Sequence, residues 1–315
     1  MRTPFLLAMV ALLGACSAGS PHPSQSTPSD PSASSRSTAT PVNEAASTRV
    51  QASPEGCFGR GPGDYVDAIE REEGQRSFRI HVPPAYDGYS SVPLLFNFHG
   101  QSRSAEDQEF YSGLVPVSDA NDFILVSPEG GFAQWNIVGI YAEDGIDDVA
   151  AVADILAYAS SEFCVDADRV FATGMSNGAE MAAQVACLMP GVFAGIAPVA
   201  GIEFQGCEGP PVAVITFHGT DDYNVPYDTA PEAVAEWARY NGCPEEPEVE
   251  RVAEQVTRES YFGCEGAPVV FYTIEGGGHT WPGAADDAGG VGATNHEISA
   301  SELIWDLFGR IRRTP

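Results

Sequence analysis

From about residue 56 to the C-terminus, short apolar runs alternate with segments whose apolar residues recur every three or four positions. The runs at 93–98 (PLLFNF), 123–126, 169–173, 195–199, 212–217 and 269–274 are short and rich in β-branched and aromatic residues, and so predict strands. A shorter one at 79–82 is ended by Pro83-Pro84. Helical spacing fills the gaps at 145–163, 177–188, 231–240 and 299–311, and the first of these carries acids at its start. Apolar strands separated by helices predict an α/β domain on a mostly parallel sheet flanked by helices. Ligands of such sheets bind beyond the carboxyl ends of the strands, so those ends are where chemistry is expected.

The first 55 residues break this pattern. Arg2 precedes an apolar stretch from Phe5 to Leu13, and Leu13-Gly14-Ala15-Cys16 ends it with small residues and a cysteine. The stretch is too short to span a bilayer. Its ending resembles a bacterial lipobox, which implies cleavage before Cys16 and a lipid on its sulfur. Residues 17–55 are Ser, Thr, Pro and Ala with little apolar bulk, which cannot offset chain entropy by burial. The expected organisation is therefore a signal peptide over 1–16, an extended tether over 17–55 and one catalytic domain over 56–315. The expected location is outside the cytoplasm, anchored at the membrane by Cys16 or secreted.

Charge narrows the function. The chain has 15 Lys+Arg, all of them Arg, against 44 Asp+Glu, for a net charge of −29. So acidic a protein will not neutralise phosphates, which excludes nucleic acid as a partner and leaves the lipid as its link to a membrane. Seven cysteines less Cys16 leave an even number in an exported chain, which reads as disulfides. No Cys-x2-Cys or clustered His/Cys spacing suggests a metal, and no cofactor is implied. Cys243–Cys264 is the expected staple of a polar excursion between a helix and a strand. Cys164–Cys187 follows if a strand and the helix after it return both residues to one end of the sheet. Cys57–Cys207 remains by elimination.

The candidate chemistry lies at Gly174-Met175-Ser176-Asn177-Gly178, a G-x-S-x-G string between a predicted strand and a predicted helix. In that context it reads as a nucleophile elbow, where a sharp turn lifts the Ser176 hydroxyl above the sheet. A serine at neutral pH needs a base, and the base needs a carboxylate. Of six histidines, His279 follows the strand at 269–274 through Gly276-Gly277-Gly278 and can swing over the serine. The acid should follow the strand at 212–217, where Asp221 and Asp222 are adjacent and only one can face the imidazole. The oxyanion of an acyl-transfer intermediate needs two donors. The backbone N–H groups of Asn177, next to the nucleophile, and Gln101, in the turn after 93–98, are the candidates.

Together, PLLFNFHGQS, GIDDVA, FCVDADRVFATGMSNG, FAGIAPVAG, FHGTDDYNVPY and IEGGGHTWPG resemble the secreted esterases of polyhydroxybutyrate depolymerase type, which include feruloyl and acetylxylan esterases. The resemblance spans about 78–283. It implies an α/β-hydrolase fold, cofactor-free hydrolysis of carboxylic esters, and a triad of Ser176, Asp222 and His279. It also implies substrate-facing roles for Trp281, two residues past the histidine, and for Trp135. Met175 and Thr280 stand where the tannase-like branch has cysteines, and no polymer-binding domain is visible. Esters of small or aromatic acids, including those carried on plant polysaccharide, are therefore expected ahead of solid polyester. The alternatives are a polyester depolymerase with the same triad, a serine peptidase and a non-catalytic binding lipoprotein.

Overall fold

A computed structural model describes residues 59–137, 145–264, 267–284 and 290–313. The expected signal peptide, Cys16 and the tether lie outside the described residues.

The strands are β1 (Gly63–Arg71), β2 (Gly74–Val82), β3 (Val92–Phe98), β4 (Ile124–Pro128), β5 (Val165–Met175), β6 (Gly195–Val199), β7 (Ala213–Gly219), β8 (Glu248–Ala253), β9 (Val256–Tyr261) and β10 (Val269–Ile274). They form one sheet in the order β1-β2-β4-β3-β5-β6-β7-β10-β9-β8. The strands from β4 to β10 in this order are parallel. Antiparallel hairpins extend the sheet at both edges. The helices are α1 (Ala105–Ser112), α2 (Leu114–Asn121), α3 (Asp148–Glu162), α4 (Asn177–Leu188), α5 (Ala230–Tyr240) and α6 (Ala300–Phe308). This is the α/β-hydrolase fold.

Period-two alternation divides the buried central strands between two cores. Leu94, Phe96 and Phe98 of β3 and Val170 and Ala172 of β5 face the side covered by α3, α4 and α5. Leu95 and Phe171 face the side covered by α1, α2 and α6. There Trp305 and Phe308 of α6 stack on Phe123 and Phe171, with ring centroids 3.9 and 4.4 Å apart. Such offset aromatic pairs add to the burial of apolar area itself.

β1, β8, β9 and the α1–α2 pair go beyond the predicted elements, and β2 extends the strand predicted at 79–82. β1 (GDYVDAIER) is half-exposed and β8 (EVERVA) is exposed along nearly all its length, so neither carries an apolar run. Their charges suit edges that must not recruit another strand. α1 had a readable start: Ser104 accepts from the Asp107 N–H, and the Asp107 carboxylate accepts from the Ser104 N–H.

Two of the expected disulfides are corrected. The structure joins Cys243 to Cys264, Cα atoms 3.8 Å apart, but pairs Cys187 with Cys207, Cα atoms 4.4 Å apart. Cys164–Cys187 and Cys57–Cys207 therefore do not form. Cys187 lies in the last turn of α4, and the chain returning from the top of β6 to the start of β7 brings Cys207 past that end. Cys164 sits elsewhere at the base of the sheet: its N–H donates to the Tyr86 hydroxyl at 2.8 Å, and its sulfur, also oxidised in a disulfide, lies 3.2 Å from the Gly88 carbonyl. Cys57 lies outside the described residues.

The Cys187–Cys207 link closes a loop across 20 residues. By loop-closure entropy, Cys187→Ala/Cys207→Ala should lose about 3 kcal/mol of stability in urea denaturation. A loss below about 1 kcal/mol would contradict this structural role.

Candidate active site

At the top of β5 the backbone turns through Ser176 with φ 57° and ψ −123°. A residue with a side chain occupies this region only when its surroundings impose it. The Ser176 N–H donates to the Val199 carbonyl at 2.9 Å. On the other side, a Cβ at Gly178 would stand 2.2 Å from the Phe98 carbonyl oxygen, and one at Gly174 would stand 2.4 Å from the Gly178 oxygen. Both glycines are therefore required, because β3, β5 and the start of α4 meet backbone to backbone.

The ends of β7 and β10 bring Asp222 and His279 together. The buried Asp222 carboxylate lies 2.7 Å from His279 Nδ1 through Oδ2, and its Oδ1 accepts the Asn224 and Val225 N–H groups at 2.9 Å each. His218 Nε2 is 3.4 Å from the same Oδ2 and 2.9 Å from the Val225 carbonyl. Burial alone would raise the pKa of Asp222, but the bonds from His218, His279 and the Val225 amide outweigh it and hold the carboxyl well below the usual range. Asp221 points outward, exposed, while its N–H donates to the Gly277 carbonyl at 2.9 Å. His279 is held by reciprocal backbone bonds with Val291 at 2.7 and 2.9 Å.

Ser176, Asn177, Gln101, Gly100, Glu180 and His279 line one cavity of about 610 Å³. Asn177 is the first residue of α4, so its amide is among the N–H groups that a helix leaves without an internal partner. In the turn after β3, the Ser102 and Arg103 amides donate to Ala133 and Gly100 at 2.7 and 3.1 Å. No such bond ties the Gln101 amide among the described residues.

The two tryptophans differ from their expected places. Trp135 and Trp281 are 1% exposed, and neither lines the cavity. The indole of Trp281 donates to the Ser301 hydroxyl at 3.1 Å, and its backbone N–H donates at 2.9 Å to the hydroxyl of Tyr111, which does line the cavity. Trp281 thus supports a wall rather than forming one. Trp135 lies behind the turn after β3, its indole N–H 2.8 Å from the His99 carbonyl. Indoles at these depths are packing groups with one polar handle each.

Sequence reasoning also passed over Glu180. It lies in the first turn of α4, four residues after Ser176, and lines the same cavity. The residue is 8% exposed, and its carboxylate accepts a hydrogen bond from Asn177 Nδ2 at 3.1 Å. Burial pushes its pKa up to about 7 against that bond, with Glu203 adding to the rise.

The family described as "Esterase PHB depolymerase" matches residues 76–253. The chain belongs to this family. Among similar proteins, Feruloyl esterase D of Neurospora crassa is 28% identical over 278 residues, covering 82% of this chain and 91% of that one. Feruloyl esterase B of Piromyces equi is 30% identical over 232 residues, covering 65% of this chain and 42% of that protein. The solved acetyl xylan esterase from Aspergillus awamori superposes with a TM-score of 0.60 at 16% identity, covering 78% of this chain and 99% of that one, which agrees with the fold. This PHB depolymerase-family chain is accordingly a serine-hydrolase-type esterase.

Glu180 gives the esterase a testable pH dependence. Its pKa in the folded protein, about 7, exceeds the ordinary value of 4.5, so the unfolded chain ionises first as pH rises. Stability should therefore fall between about pH 4.5 and 7 and level off above. Glu180→Gln should remove that cost, gaining up to about 3 kcal/mol more at pH 8 than at pH 4 in chemical denaturation. An equal effect at both pH values would refute the shift.

Proposed function

We propose that this esterase cleaves carboxylic esters of small or aromatic acids, including feruloyl or acetyl groups carried on plant polysaccharide, through Ser176, His279 and Asp222. The observation that carries the reading is the 2.7 Å contact between His279 Nδ1 and the buried Asp222, in the same cavity as a serine on a strained elbow. His279 Nε2 takes the Ser176 proton as Oγ attacks the ester carbonyl. The Gln101 and Asn177 N–H groups receive the negative charge on the carbonyl oxygen. His279 then returns the proton to the departing alcohol, leaving an acyl-serine. Water attacks that ester with its proton drawn by His279, releasing the acid and restoring Ser176.

The substrate class draws support from the feruloyl esterases among its relatives and from the cleft. Arg103, Asp107 and Gln108 make the cleft polar, as a hydroxylated substrate requires. Phe110, Tyr223 and Val291, exposed by 69, 87 and 57%, stand at its mouth and suit a ring or a chain extending outward. That rim also favours a second reading, a polyester as substrate. On either reading we place the chain outside the cytoplasm, anchored through a lipid on Cys16 or secreted. The mass of the mature N-terminus tests that anchor, and an unmodified Cys16 would remove it.

Hydrolysis of soluble feruloyl and acetyl esters should outpace release of hydroxybutyrate from polymer when all are offered to the same enzyme; the opposite order would favour the polyester reading. Asp222→Asn should lower turnover by about three to four orders of magnitude, because the wrong imidazole tautomer is then favoured. Asp221→Asn should change it by less than about threefold. Exchange of these two phenotypes in folded variants would move the acid to Asp221.

A further inference from the structure

The oxyanion donor in the turn after β3 belongs to the Gly100–Gln101 peptide, a rigid plane whose C=O and N–H point in opposite directions. Whatever grips the Gly100 carbonyl therefore aims the Gln101 N–H. The Arg103 N–H donates to that carbonyl at 3.1 Å, and His99 Nδ1 lies 2.8 Å from it. The protonation of His99 follows from its other nitrogen. Nε2 lies 3.0 Å from the Gly130 N–H, which can only donate, so Nε2 accepts and the proton sits on Nδ1. Burial of the ring lowers its pKa and keeps it neutral, although the Glu129 carboxylate is 3.6 Å from Nε2. The second Glu129 oxygen is occupied by the Ala105 N–H at 3.0 Å.

His99 is locked in turn. Its ring packs on Trp135 with centroids 5.0 Å apart, and the Trp135 indole N–H donates to the His99 carbonyl at 2.8 Å. The Trp135 backbone is clasped by the Asn177 side chain: its N–H donates to Oδ1 at 2.6 Å, and its carbonyl accepts from Nδ2 at 3.3 Å. Asn177 carries the other donor amide. One buried set of hydrogen bonds thus runs from the Gly100–Gln101 peptide through His99 and Trp135 to Asn177, the residue of the second donor.

We propose that His99 is a positioning residue of the oxyanion hole: its Nδ1–H grips the Gly100 carbonyl and so turns the Gln101 N–H toward the substrate oxygen, while the Asn177 and Trp135 side chains hold it in register with the second donor. The inference rests on the proposed roles of Ser176, Gln101 and Asn177. It separates His99 from the acid–base chemistry, since its proton never moves.

The test compares His99→Leu, His99→Asn and His99→Gln with p-nitrophenyl acetate as substrate and a trifluoromethyl ketone as mimic of the tetrahedral intermediate. Asn sets an amide N–H near the place of Nδ1, and Gln sets its amide near the place of Nε2. His99→Leu should lower kcat about 100-fold, near the cost of losing one oxyanion donor, with KM within about threefold. The ketone should weaken in step with kcat. His99→Asn should recover at least about tenfold of that loss and His99→Gln should not. A folded His99→Leu with kcat within about threefold of the parent, or better recovery by Gln than by Asn, would overturn the proposal. If Leu at this site prevents folding, Trp135→Phe, which keeps a ring but removes the indole N–H, should still lower kcat about tenfold at unchanged KM. An unchanged kcat there would equally overturn it. Ser176→Ala is assayed alongside. Activity in that variant would defeat the assignment of the nucleophile, whereas an inactive Ser176→Ala beside a fully active His99→Leu would defeat only the positioning role.

Discussion

Ser176 holds φ 57° and ψ −123°, a conformation that costs a residue with a side chain about 1–3 kcal/mol, and the atoms that enforce it are largely backbone. Val199 accepts its N–H, and Gly174 and Gly178 admit the Phe98 carbonyl to within distances that no side chain would permit. Those backbone groups belong to the ends of β3, β5 and β6, whose side chains are buried on both faces of the sheet. The elbow is thus stabilised by two aromatic-rich cores, one on each face of the sheet. Because the strands are parallel, the same packing also delivers the ends of β7 and β10, with Asp222 and His279, to that edge of the sheet.

The electrostatics are arranged around one negative charge that stays and one that comes and goes. Asp222 stays ionised despite burial, since two imidazoles and two backbone amides surround it. The transient charge would form on the substrate oxygen between the Gln101 and Asn177 amides. Glu180 lines the same cavity, and burial keeps it largely protonated below pH 7. An ionised carboxylate lining the same cavity would oppose an oxyanion forming there, so its raised pKa matters in a protein otherwise crowded with acids.

What could be read from the sequence follows its physical signals. The strands of the parallel core are continuous apolar runs, and α4 begins directly after the elbow, so both are visible without coordinates. The hairpins of β1 and β8 are half-exposed and charged, and their pairing is decided by the sheet edge they extend. The exchange of cysteine partners reflects a loop: helical spacing carries Cys187 to the far end of α4, but nothing in the composition of 200–212 shows that this segment passes the same helix end. Trp135 and Trp281 were near the site in sequence, yet distance from the chemistry depends on which way a buried ring faces. Of the network behind the elbow, His99, Glu180 and the Asn177 side chain became legible only as hydrogen bonds.

The proposed chemistry depends first on Ser176 as the nucleophile. The direct measurement is mass spectrometry of the folded protein after reaction with a fluorophosphonate, followed by peptide mapping. A single adduct on Ser176, lost when the protein is denatured before labelling, is the predicted result. An active, folded enzyme that carries no adduct, or carries it on another residue, would contradict the account.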